Sequence, residues 1–273
     1  MSQANTKPPI ALTIAGSDSS GGAGIQADLK TFTVLGVYGA SVITALTAQN
    51  TTGVQGVHAV PPEFVAAQMR SVLGDLSVGA IKTGMLANAA IIRAVADGLA
   101  KMGPDTPLVL DPVMVATSGD VLLAADAIDT LKTALIPRAT LITPNLPEAA
   151  ELLGTSIATT ETEARSQLDA LARLGARAVL LKGGHGGGGE AVDFLSFGGH
   201  VHRLASPRIA TRNTHGTGCT LSAAIAAHLA LGDNLETAVQ AAKDYVHRAI
   251  AAGAALRIGA GSGPVDHLFP LRR

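Results

Sequence analysis

The sequence predicts an α/β fold in which helices cover both faces of a mostly parallel central sheet. Hydrophobic residues make up 47% of the chain and aromatic residues only 3%. Aliphatic runs of this kind are typical of strands that are buried on both faces of a parallel sheet. The runs alternate with segments of helical periodicity along almost the whole chain, which is the order required by parallel strands joined through crossover helices.

Each predicted strand is a short apolar run that ends in polar residues or glycine. The predicted strands cover residues 10–15, 40–48, 107–112, 139–143 and 178–182, and residues 80–86 are predicted to form a further strand and its exit loop. A hairpin is predicted from residues 191–197 and 200–204, because the Gly198-Gly199 pair between them is a typical tight-turn sequence.

The predicted helices carry apolar residues three or four positions apart on one side. They cover residues 25–35, 61–74, 88–102, 124–135, 149–153, 161–174 and 235–252, and a further helix follows the turn at residues 213–220. Gly36 is predicted to end the first helix, since glycine is common just beyond a helix end. Asn88 is predicted to cap the third helix with its side chain.

We expect one domain over residues 10–273, preceded by a flexible tail over residues 1–9. No internal repeat, change of composition or linker of domain length divides the sequence. The short glycine- and serine-containing stretch after Gly259 is expected to form a surface loop.

The composition excludes several classes of protein. Lys and Arg total 20 and Asp and Glu total 21, with no basic cluster, so nucleic acid is not an expected partner. The single cysteine cannot form an internal disulfide and fits a reducing compartment. The first apolar run is too short for a signal peptide, and no stretch reaches the roughly 20 apolar residues that cross a bilayer. We therefore expect a soluble cytoplasmic protein without a membrane partner.

The turn Asn213-Thr-His-Gly-Thr-Gly-Cys-Thr220 is the most informative stretch of the sequence. Its glycines let a ligand approach the backbone, and an alanine-rich helix follows at once. The free N–H groups and positive dipole of a helix N-terminus attract phosphate. Because a helix N-terminus also favours a thiolate, the pKa of Cys219 is predicted to be lowered. An anion site beside a possible base indicates phosphoryl transfer.

Polar residues also follow most of the predicted strands, where ligands of open α/β sheets bind. These residues are Ser17, Asp18, Gln49, Asn50, Lys82, Thr83, Asp111, Asn145, Glu148, Lys182 and His185, with Asp28 on the first helix. The apolar Met85 also follows the third strand. Asp111 and Glu148 are candidate ligands of a hydrated Mg²⁺, which is commonly bound by one or two carboxylates plus phosphates. Lys182 is expected to neutralise phosphate charge.

Simpler interpretations exist for several of these residues. Asp18 is expected to cap a helix, Asp111 could merely begin a turn, and Glu148 could merely support its helix electrostatically. His185 and His215 are weak signals, because no His/Cys cluster has metal-ligand spacing. The glycine-rich segment at residues 21–24 lacks the context of a dinucleotide site, and no Walker A pattern occurs.

Seven motifs occur in order along the chain. They are Gly16-Ser-Asp-Ser-Ser-Gly-Gly-Ala-Gly-Ile-Gln-Ala-Asp28, Thr44-Ala-Leu-Thr-Ala-Gln-Asn-Thr51, Lys82-Thr-Gly-Met-Leu86, Asp111-Pro-Val-Met-Val115, Thr143-Pro-Asn-Leu-Pro-Glu148, Lys182-Gly-Gly-His185 and Asn213-Thr-His-Gly-Thr-Gly-Cys219. In this order the sequence resembles the hydroxymethylpyrimidine/phosphomethylpyrimidine kinases of thiamine biosynthesis, in the ribokinase-like superfamily, over residues 10–270. The resemblance implies a three-layer α/β/α sandwich.

The resemblance further implies two ATP-dependent reactions at one site. The first phosphorylates 4-amino-5-hydroxymethyl-2-methylpyrimidine, and the second adds a phosphate to that monophosphate. The implied cofactors are ATP and Mg²⁺, and the implied assembly is a homodimer.

Each matching position then acquires an implied role. The pyrimidine would contact Gly16, Ala23, Asp28, Gln49, Met85 and Val113, and Mg²⁺ would be held by Asp111 and Glu148, directly or through water. The nucleotide would contact Asn145, Lys182, Asn213, Thr214, Gly216 and Gly218. The catalytic set would be Cys219 as base, Gly216, Thr217 and Gly218 as anion hole, and Lys182.

Two features depart from the family pattern. Residues 183–189 are almost all glycine, so this flap is expected to contact the nucleotide through backbone donors, and Thr117 stands where some relatives carry lysine. The nearest alternative function is a pyridoxal kinase of the same fold. From other classes, Cys219 and His215 could form a thiol hydrolase site, or the fold could bind a pyrimidine without catalysis.

Overall fold

The computed structural model of the protein describes residues 7–103, 105–114, 123, 125–183 and 188–272. Four of the sequence predictions fall wholly or partly elsewhere. Thr117, His185, most of the glycine-rich flap, and residues 1–6 of the expected tail lie outside the described residues.

The strands of the described chain are short and mostly buried. They are β1 (Ile10–Ala15), β2 (Tyr38–Ile43), β3 (Ala45–Asn50), β4 (Gly53–Ala59), β5 (Ala80–Thr83), β6 (Leu108–Leu110), β7 (Leu141–Ile142), β8 (Ala178–Lys182), β9 (Glu190–Phe197) and β10 (His200–Pro207).

Helices occupy most of the intervals between these strands. They are α1 (Gly24–Val34), α2 (Pro62–Leu73), α3 (Ala89–Leu99), α4 (Ala125–Thr130), α5 (Leu146–Leu153), α6 (Glu161–Ala172), α7 (Thr217–Ala230) and α8 (Leu235–Gly253). A π-helical turn at Leu131–Leu135 and a 3₁₀ turn at Ile136–Arg138 extend α4, and a 3₁₀ turn at Phe269–Leu271 closes the chain.

The central sheet confirms the predicted fold class. Its strand order is β10-β9-β8-β7-β6-β5-β1-β2, with parallel pairing from β8 through β2 and antiparallel pairing of β8, β9 and β10. One face packs against α2, α3, α4, α5 and α6, and the other packs against α1, α7 and α8. The result is the three-layer sandwich with a mostly parallel sheet.

The prediction of one strand over residues 40–48 was wrong. The chain turns at Thr44, whose N–H donates to Ala15 and whose hydroxyl donates to the carbonyl of Met85 at 2.6 Å. The second half, β3, leaves the main sheet and pairs with β4 as a separate antiparallel ribbon. The sequence did not reveal β4, because nearly all of its residues are exposed and it lacks a buried apolar run.

Helix boundaries were confirmed where a local signal exists. Gly36 has φ +79° just beyond α1, and the Asn88 side chain accepts a hydrogen bond from the Ile91 N–H. The third helix ends at Leu99 rather than at residue 102. The α4 segment changes to π and 3₁₀ geometry before Pro137, which lacks the N–H that a continuing helix requires.

The stretch after Gly259 is a loop that is hydrogen-bonded to two other segments of the chain. The N–H groups of Gly261 and Ser262 donate to Thr51 at the turn between β3 and β4, and the Gly263 carbonyl accepts from the His215 N–H. This segment therefore connects the ribbon to the turn that precedes α7.

Candidate active site

Lys182 connects the predicted phosphate and metal residues at the carboxyl end of the sheet. Its Nζ atom lies 2.9 Å from Oδ1 of Asp111, which follows β6. The same Nζ lies 4.0 Å from Oε2 of Glu148 in the first turn of α5. The structure thus brings together three side chains that are separated in sequence, because β6, β7 and β8 are neighbouring parallel strands.

Asp111 is buried, and its carboxylate accepts several hydrogen bonds. Besides Lys182, its carboxylate accepts hydrogen bonds from the hydroxyls of Thr143 (2.9 Å) and Ser222 (3.2 Å). Burial raises the pKa of Asp111, but the charges of Lys182 and Lys82 lower it by more than burial raises it. The pKa is therefore below its ordinary value. The side chain is therefore an anion at neutral pH.

Glu148 is placed by a capping box at the start of α5. The Asn145 side chain accepts from the Glu148 N–H, and the Glu148 side chain accepts from the Asn145 N–H, both at 2.8 Å. Burial raises the pKa of Glu148 to about 7; the Lys182 charge opposes this shift and the Asp111 charge reinforces it. The box uses the Asn145 oxygen, so only its amide nitrogen is a candidate for nucleotide contact.

The turn before α7 lies against the glycine-rich segment of the first loop. Gly216 is the N-cap of α7 with φ +78°, and a β-carbon there would overlap the Gly22 carbonyl. A β-carbon at Gly218 would lie 3.3 Å from Lys182 Nζ and 3.7 Å from Asp111 Oδ2. The positive end of α7 thus adjoins the Lys182–Asp111 pair, and the absent side chains leave the backbone open to an anion.

A buried carboxylate–imidazole pair holds these two loops together. Asp18 accepts hydrogen bonds from the N–H groups of Ser20, Gly22 and Ala23, and its Oδ2 lies 2.8 Å from His215 Nε2. Burial raises the pKa of Asp18, but these hydrogen bonds, led by the one to His215, lower it to about 2. The expectation that Asp18 caps α1 was wrong, because the N-cap is Ala23, which has no side-chain cap.

Sequence reasoning missed this pair for a physical reason. Asp18 and His215 are 197 residues apart, and each is a weak signal alone. The only available hint was that both residues lie in glycine-containing segments expected at the same edge of the sheet.

Cys219 has a raised pKa, which contradicts the prediction of a lowered one. Burial and the nearby carboxylates of Asp28 and Asp111 raise the pKa of the thiol to about 11, against the opposing effects of the Lys82 charge and the Gly24 N–H. The effect of the helix N-terminus is therefore smaller than the cost of placing an anion here. At neutral pH the side chain is a thiol.

The thiol hydrolase alternative does not fit this arrangement. The Nε2 atom of His215 is bound to Asp18, while the group that contacts the Cys219 thiol is the Gly24 N–H. A nucleophilic cysteine needs the histidine within hydrogen-bond reach. No Cys219–His215 hydrogen bond occurs within the described part of the chain.

Asp28 forms a buried ion pair instead of lining an open cleft. Its carboxylate has no solvent exposure and accepts from the Thr13 hydroxyl (2.6 Å) and Lys82 Nζ (2.8 and 3.0 Å). Although burial acts in the opposite direction, the Asp28 carboxylate raises the pKa of Lys82 above its ordinary value. Both oxygens accept from protein donors, and the direct contact of Asp28 with a pyrimidine stays a prediction.

The other residues predicted to contact a pyrimidine lie at the exits of β1, β3, β5 and β6. A β-carbon at Gly16 would lie 3.1 Å from the sulfur of Met85, so these two residues face one another. Gln49 and His215 share the wall of a cavity of about 270 Å³ beside the β3–β4 turn. Val113 is half-buried just after Asp111.

Asn213 has a structural role that the sequence did not predict. Its amide nitrogen donates to the carbonyls of Gly253 (2.7 Å) and Leu256 (2.8 Å) at the end of α8. The amide donors of Asn213 are thus used within the protein, and its contact with the nucleotide stays a prediction. Thr214 is exposed, and the Thr217 hydroxyl donates to the Thr214 carbonyl at 2.6 Å.

The carboxylates of the site are compatible with a metal ion whose other ligands are water and phosphate oxygens. Among the described residues, no group of three or more His, Cys, Asp or Glu side chains could hold a metal ion. Asp111 and Glu148 nevertheless lie close to one lysine. Two carboxylates match Mg²⁺ bound together with waters and phosphates, and they do not match a closed protein cage.

Comparison with known proteins identifies the family. The sequence model of the phosphomethylpyrimidine kinases matches residues 18–266. The chain belongs to the phosphomethylpyrimidine kinase family. It is 58% identical over 258 residues to the hydroxymethylpyrimidine/phosphomethylpyrimidine kinase of Rhizobium meliloti, covering 94% of this chain and 96% of that protein. The enzyme of the same name from Escherichia coli is 52% identical over 257 residues, with coverages of 94% and 96%.

Solved structures agree with this assignment. A phosphomethylpyrimidine kinase from Clostridium difficile has a TM-score of 0.77 and 44% identity, covering 88% of this chain and 99% of that one. The ADP complex of Bacillus subtilis pyridoxal kinase has a TM-score of 0.88 and 37% identity, with coverages of 97% and 100%.

Family membership makes the chain a kinase that uses ATP. The pyridoxal kinases of the same fold have been solved with ADP and with an ATP analogue. Within the described residues, no helix combines the length and the apolar character needed to cross a membrane.

Proposed function

We propose that the chain transfers phosphate from ATP to 4-amino-5-hydroxymethyl-2-methylpyrimidine and then to the resulting monophosphate, for thiamine diphosphate biosynthesis. The observation that carries the proposal is the Lys182–Asp111 pair beside Gly218 at the start of α7. It occurs in a chain that is 58% identical, over nearly its full length, to a kinase named for both pyrimidine substrates.

The negative charge of the phosphate groups is stabilised by Lys182 and by the backbone at the start of α7 in this proposal. In phosphoryl transfer the protein acts mostly by positioning the reactants and stabilising charge on the transferred group. Lys182 supplies a cation to the nucleotide phosphates, and the N–H groups of residues 216–219 form the hole for the transferred group. Asn145 and Thr214 lie at the edge of this region and contact the nucleotide.

Asp111 and Glu148 hold Mg²⁺ in this proposal. Asp111 is already ionised, whereas Glu148, with a pKa of about 7, loses its proton more readily near a divalent cation. When bound, Mg²⁺ neutralises part of the phosphate charge.

The acceptor lies between the first loop and the exits of β3, β5 and β6. Gln49 offers both a donor and an acceptor to a pyrimidine edge, and Met85 and Val113 supply apolar walls. Gly16 and Ala23 let the ring approach the backbone. Asp28 supports this region indirectly through Lys82.

Cys219 takes the hydroxymethyl proton in this proposal. Its high pKa makes the thiolate scarce at neutral pH but strongly basic, and the Lys82 charge favours that anion. Charge stabilisation by the backbone hole remains the larger contribution to the rate.

Pyridoxal phosphorylation is the second candidate function. It is favoured by the 0.88 TM-score and 37% identity to the B. subtilis pyridoxal kinase. The acceptor preference separates the two, because a dedicated pyridoxal kinase does not phosphorylate a monophosphate.

One assay tests the proposal. ADP release is measured with ATP and Mg²⁺ and with the pyrimidine alcohol, its monophosphate or pyridoxal as acceptor. We expect turnover with both pyrimidines and a smaller kcat/KM for pyridoxal. Turnover of pyridoxal alone, or ATP-independent hydrolysis of an activated ester, would contradict the proposal.

The same family likeness supports a cytoplasmic homodimer. The apolar side chains exposed near β2, β3, β4 and α2 are Tyr38, Leu46, Val57 and Phe64. We propose that these side chains contribute to the interface between the protomers, since exposed apolar surface is typical of protein interfaces.

A further inference from the structure

A buried ion pair joins the strand next to that of Lys182 to helix α8. Asp193 on β9 is the antiparallel partner of Lys182 on β8, and its Oδ2 atom lies 2.6 Å from Nζ of Lys243 on α8. Asp193 is only 8% exposed and Lys243 only 7%. Desolvation offsets much of the attraction between two buried charges, so stability alone is a weak explanation for such a pair.

The second carboxylate oxygen of Asp193 reaches the backbone just beyond Lys182. Oδ1 accepts a hydrogen bond from the Gly183 N–H at 2.9 Å. On the other side, the Lys182 N–H donates to the Pro144 carbonyl at 2.8 Å. The backbone at the end of β8 is therefore hydrogen-bonded on one side to β9 and on the other side to the segment that follows β7.

Close packing leaves this backbone little freedom to shift. A β-carbon at Gly183 would overlap the carbonyl oxygen of Val192, so the chain runs directly against β9. Lys243 Nζ also lies 3.3 Å from the carbonyl oxygen of Ala191. Helix α8 is thus tied to the same stretch of β9 that holds Gly183.

We propose that Asp193 and Lys243 are positioning residues that align Lys182 with the nucleotide phosphates. The inference rests on the proposed function in that Lys182 contacts the nucleotide. The bond to Gly183 sets the end of β8, and Lys243 keeps the carboxylate in the orientation that makes this bond. Lys243 also neutralises an anion that would otherwise compete with Asp111 for the Lys182 ammonium group.

This arrangement predicts an effect on one substrate only. The acceptor contacts belong to the exits of β1, β5 and β6 and to the separate β3–β4 ribbon, and none of these strands neighbours β9. A displaced Lys182 therefore weakens nucleotide binding and leaves acceptor binding unchanged. General damage to the fold would weaken both.

The test measures the affinities for ADP and for the pyrimidine alcohol by calorimetry. Asp193→Leu removes the acceptor oxygen, and Lys243→Met leaves the carboxylate without its cation. We expect ADP affinity to fall about tenfold in each, as for other residues that orient a functional group. The double variant Asp193→Asn/Lys243→Met keeps an oxygen for Gly183 and removes both charges, so its ADP affinity is expected within about twofold of wild type.

Glu190→Gln is the matched control on the same strand. Glu190 forms an exposed ion pair with Arg203 at 3.0 Å, and exposed pairs contribute little. We expect both affinities to stay unchanged in this variant.

Several outcomes would overturn the proposal. A folded Asp193→Leu protein with normal ADP affinity would do so, and so would equal losses of affinity for ADP and for the pyrimidine alcohol. If Asp193→Leu does not fold, equal ADP affinities in Lys243→Met and the double variant refute it. A Lys182→Met variant that keeps its ADP affinity would instead refute the proposed role of Lys182. A loss in Lys182→Met with normal affinity in Asp193→Leu refutes the positioning role alone.

Discussion

At the scale of single residues, neighbouring ionisable groups of the site have different protonation states at neutral pH. Asp111 is kept ionised by Lys182, although both lie in a largely buried environment. Cys219 follows Gly218, which lies beside the same cation, and its thiol stays protonated, because burial and the carboxylates of Asp28 and Asp111 oppose another negative charge. In the proposed mechanism Lys182 therefore binds phosphate as a cation, and Cys219 lies beside the acceptor as a thiol.

Replacing Cys219 by alanine is expected to lower kcat about a hundredfold, the lower end of what a positioned acid–base group contributes. Because the pKa of the thiol is about 11, the thiolate fraction and kcat of the wild type are expected to rise between roughly pH 7 and 9. The variant should lose that rise. Rate profiles against pH for both proteins provide the measurement; near-full turnover with unchanged pH dependence would refute the base role.

His267 gives a second prediction at this scale. It is buried, and Thr220, whose hydroxyl donates to the Gly216 carbonyl, lies 2.9 Å from its Nε2. Burial and the Lys30 charge lower the pKa of His267 from 6.5 to about 4. The folded state therefore prefers the neutral imidazole, so its contribution is complete above pH 6.5 and is lost as the pH falls towards 4.

The expected loss is about 3 kcal/mol in the free energy of unfolding over that pH range. Urea unfolding of the wild type and of His267→Gln, at a series of pH values, isolates this contribution as the difference between the two proteins. A difference that stays constant from pH 7 to 4 would exclude the titration of His267.

At the scale of elements, the start of α7 depends on contact with the first loop. Gly216 lies on Gly22, while Asp18 and His215 join the same two segments through their side chains. A helix N-terminus binds phosphate only if its N–H groups are open and correctly aimed. The loop contact provides that alignment.

Gly216→Ala tests this contact against a matched control at the other end of α7. Gly216 and Gly232 both have positive φ, +78° and +96°, but only the first would bring a methyl group into the Gly22 carbonyl. We expect Gly232→Ala to cost about 1 kcal/mol for backbone conformation. Gly216→Ala is expected to cost roughly 3 kcal/mol or more and to lower kcat.

Chemical denaturation and kcat measurements of both variants make the comparison. Equal destabilisation with unchanged kcat would show that the contact between the two loops does not align the turn.

At the scale of the whole molecule, the β3–β4 ribbon stands apart from the central sheet. Leu46 and Val57 are each 47% exposed on this ribbon. The double variant Leu46→Glu/Val57→Glu is expected to convert a wild-type dimer to monomers, because charges are disfavoured in the core of an interface.

Sedimentation equilibrium measures the change in association. Ile157→Glu is the control, since Ile157 is 52% exposed and follows α5, away from the ribbon. A monomeric wild type, or a double variant that remains dimeric, would contradict the assignment of the interface.

The parts of the fold that the sequence predicted have local causes. The strands β1 and β8 were predicted to the residue, since each is a short, mostly aliphatic run with only one polar residue. Asn88 and Gly36 marked helix ends through short-range hydrogen bonding and backbone conformation. The ribbon was not predicted, because the turn at Thr44 depends on its bond to Met85, 41 residues away.

The sequence by itself determined the order of strands and helices outside the β3–β4 ribbon and the chemical nature of the turn before α7, which is proposed to bind phosphate. These follow from periodicity and from glycine at a helix N-terminus, which act over a few residues. Only the tertiary structure decided which polar side chains meet: Asp28 with Lys82, Asp18 with His215, and Lys182 with Asp111. It also decided that the pKa of Cys219 is raised. Ion pairs and desolvation depend on packing between distant segments, and no local propensity encodes that packing.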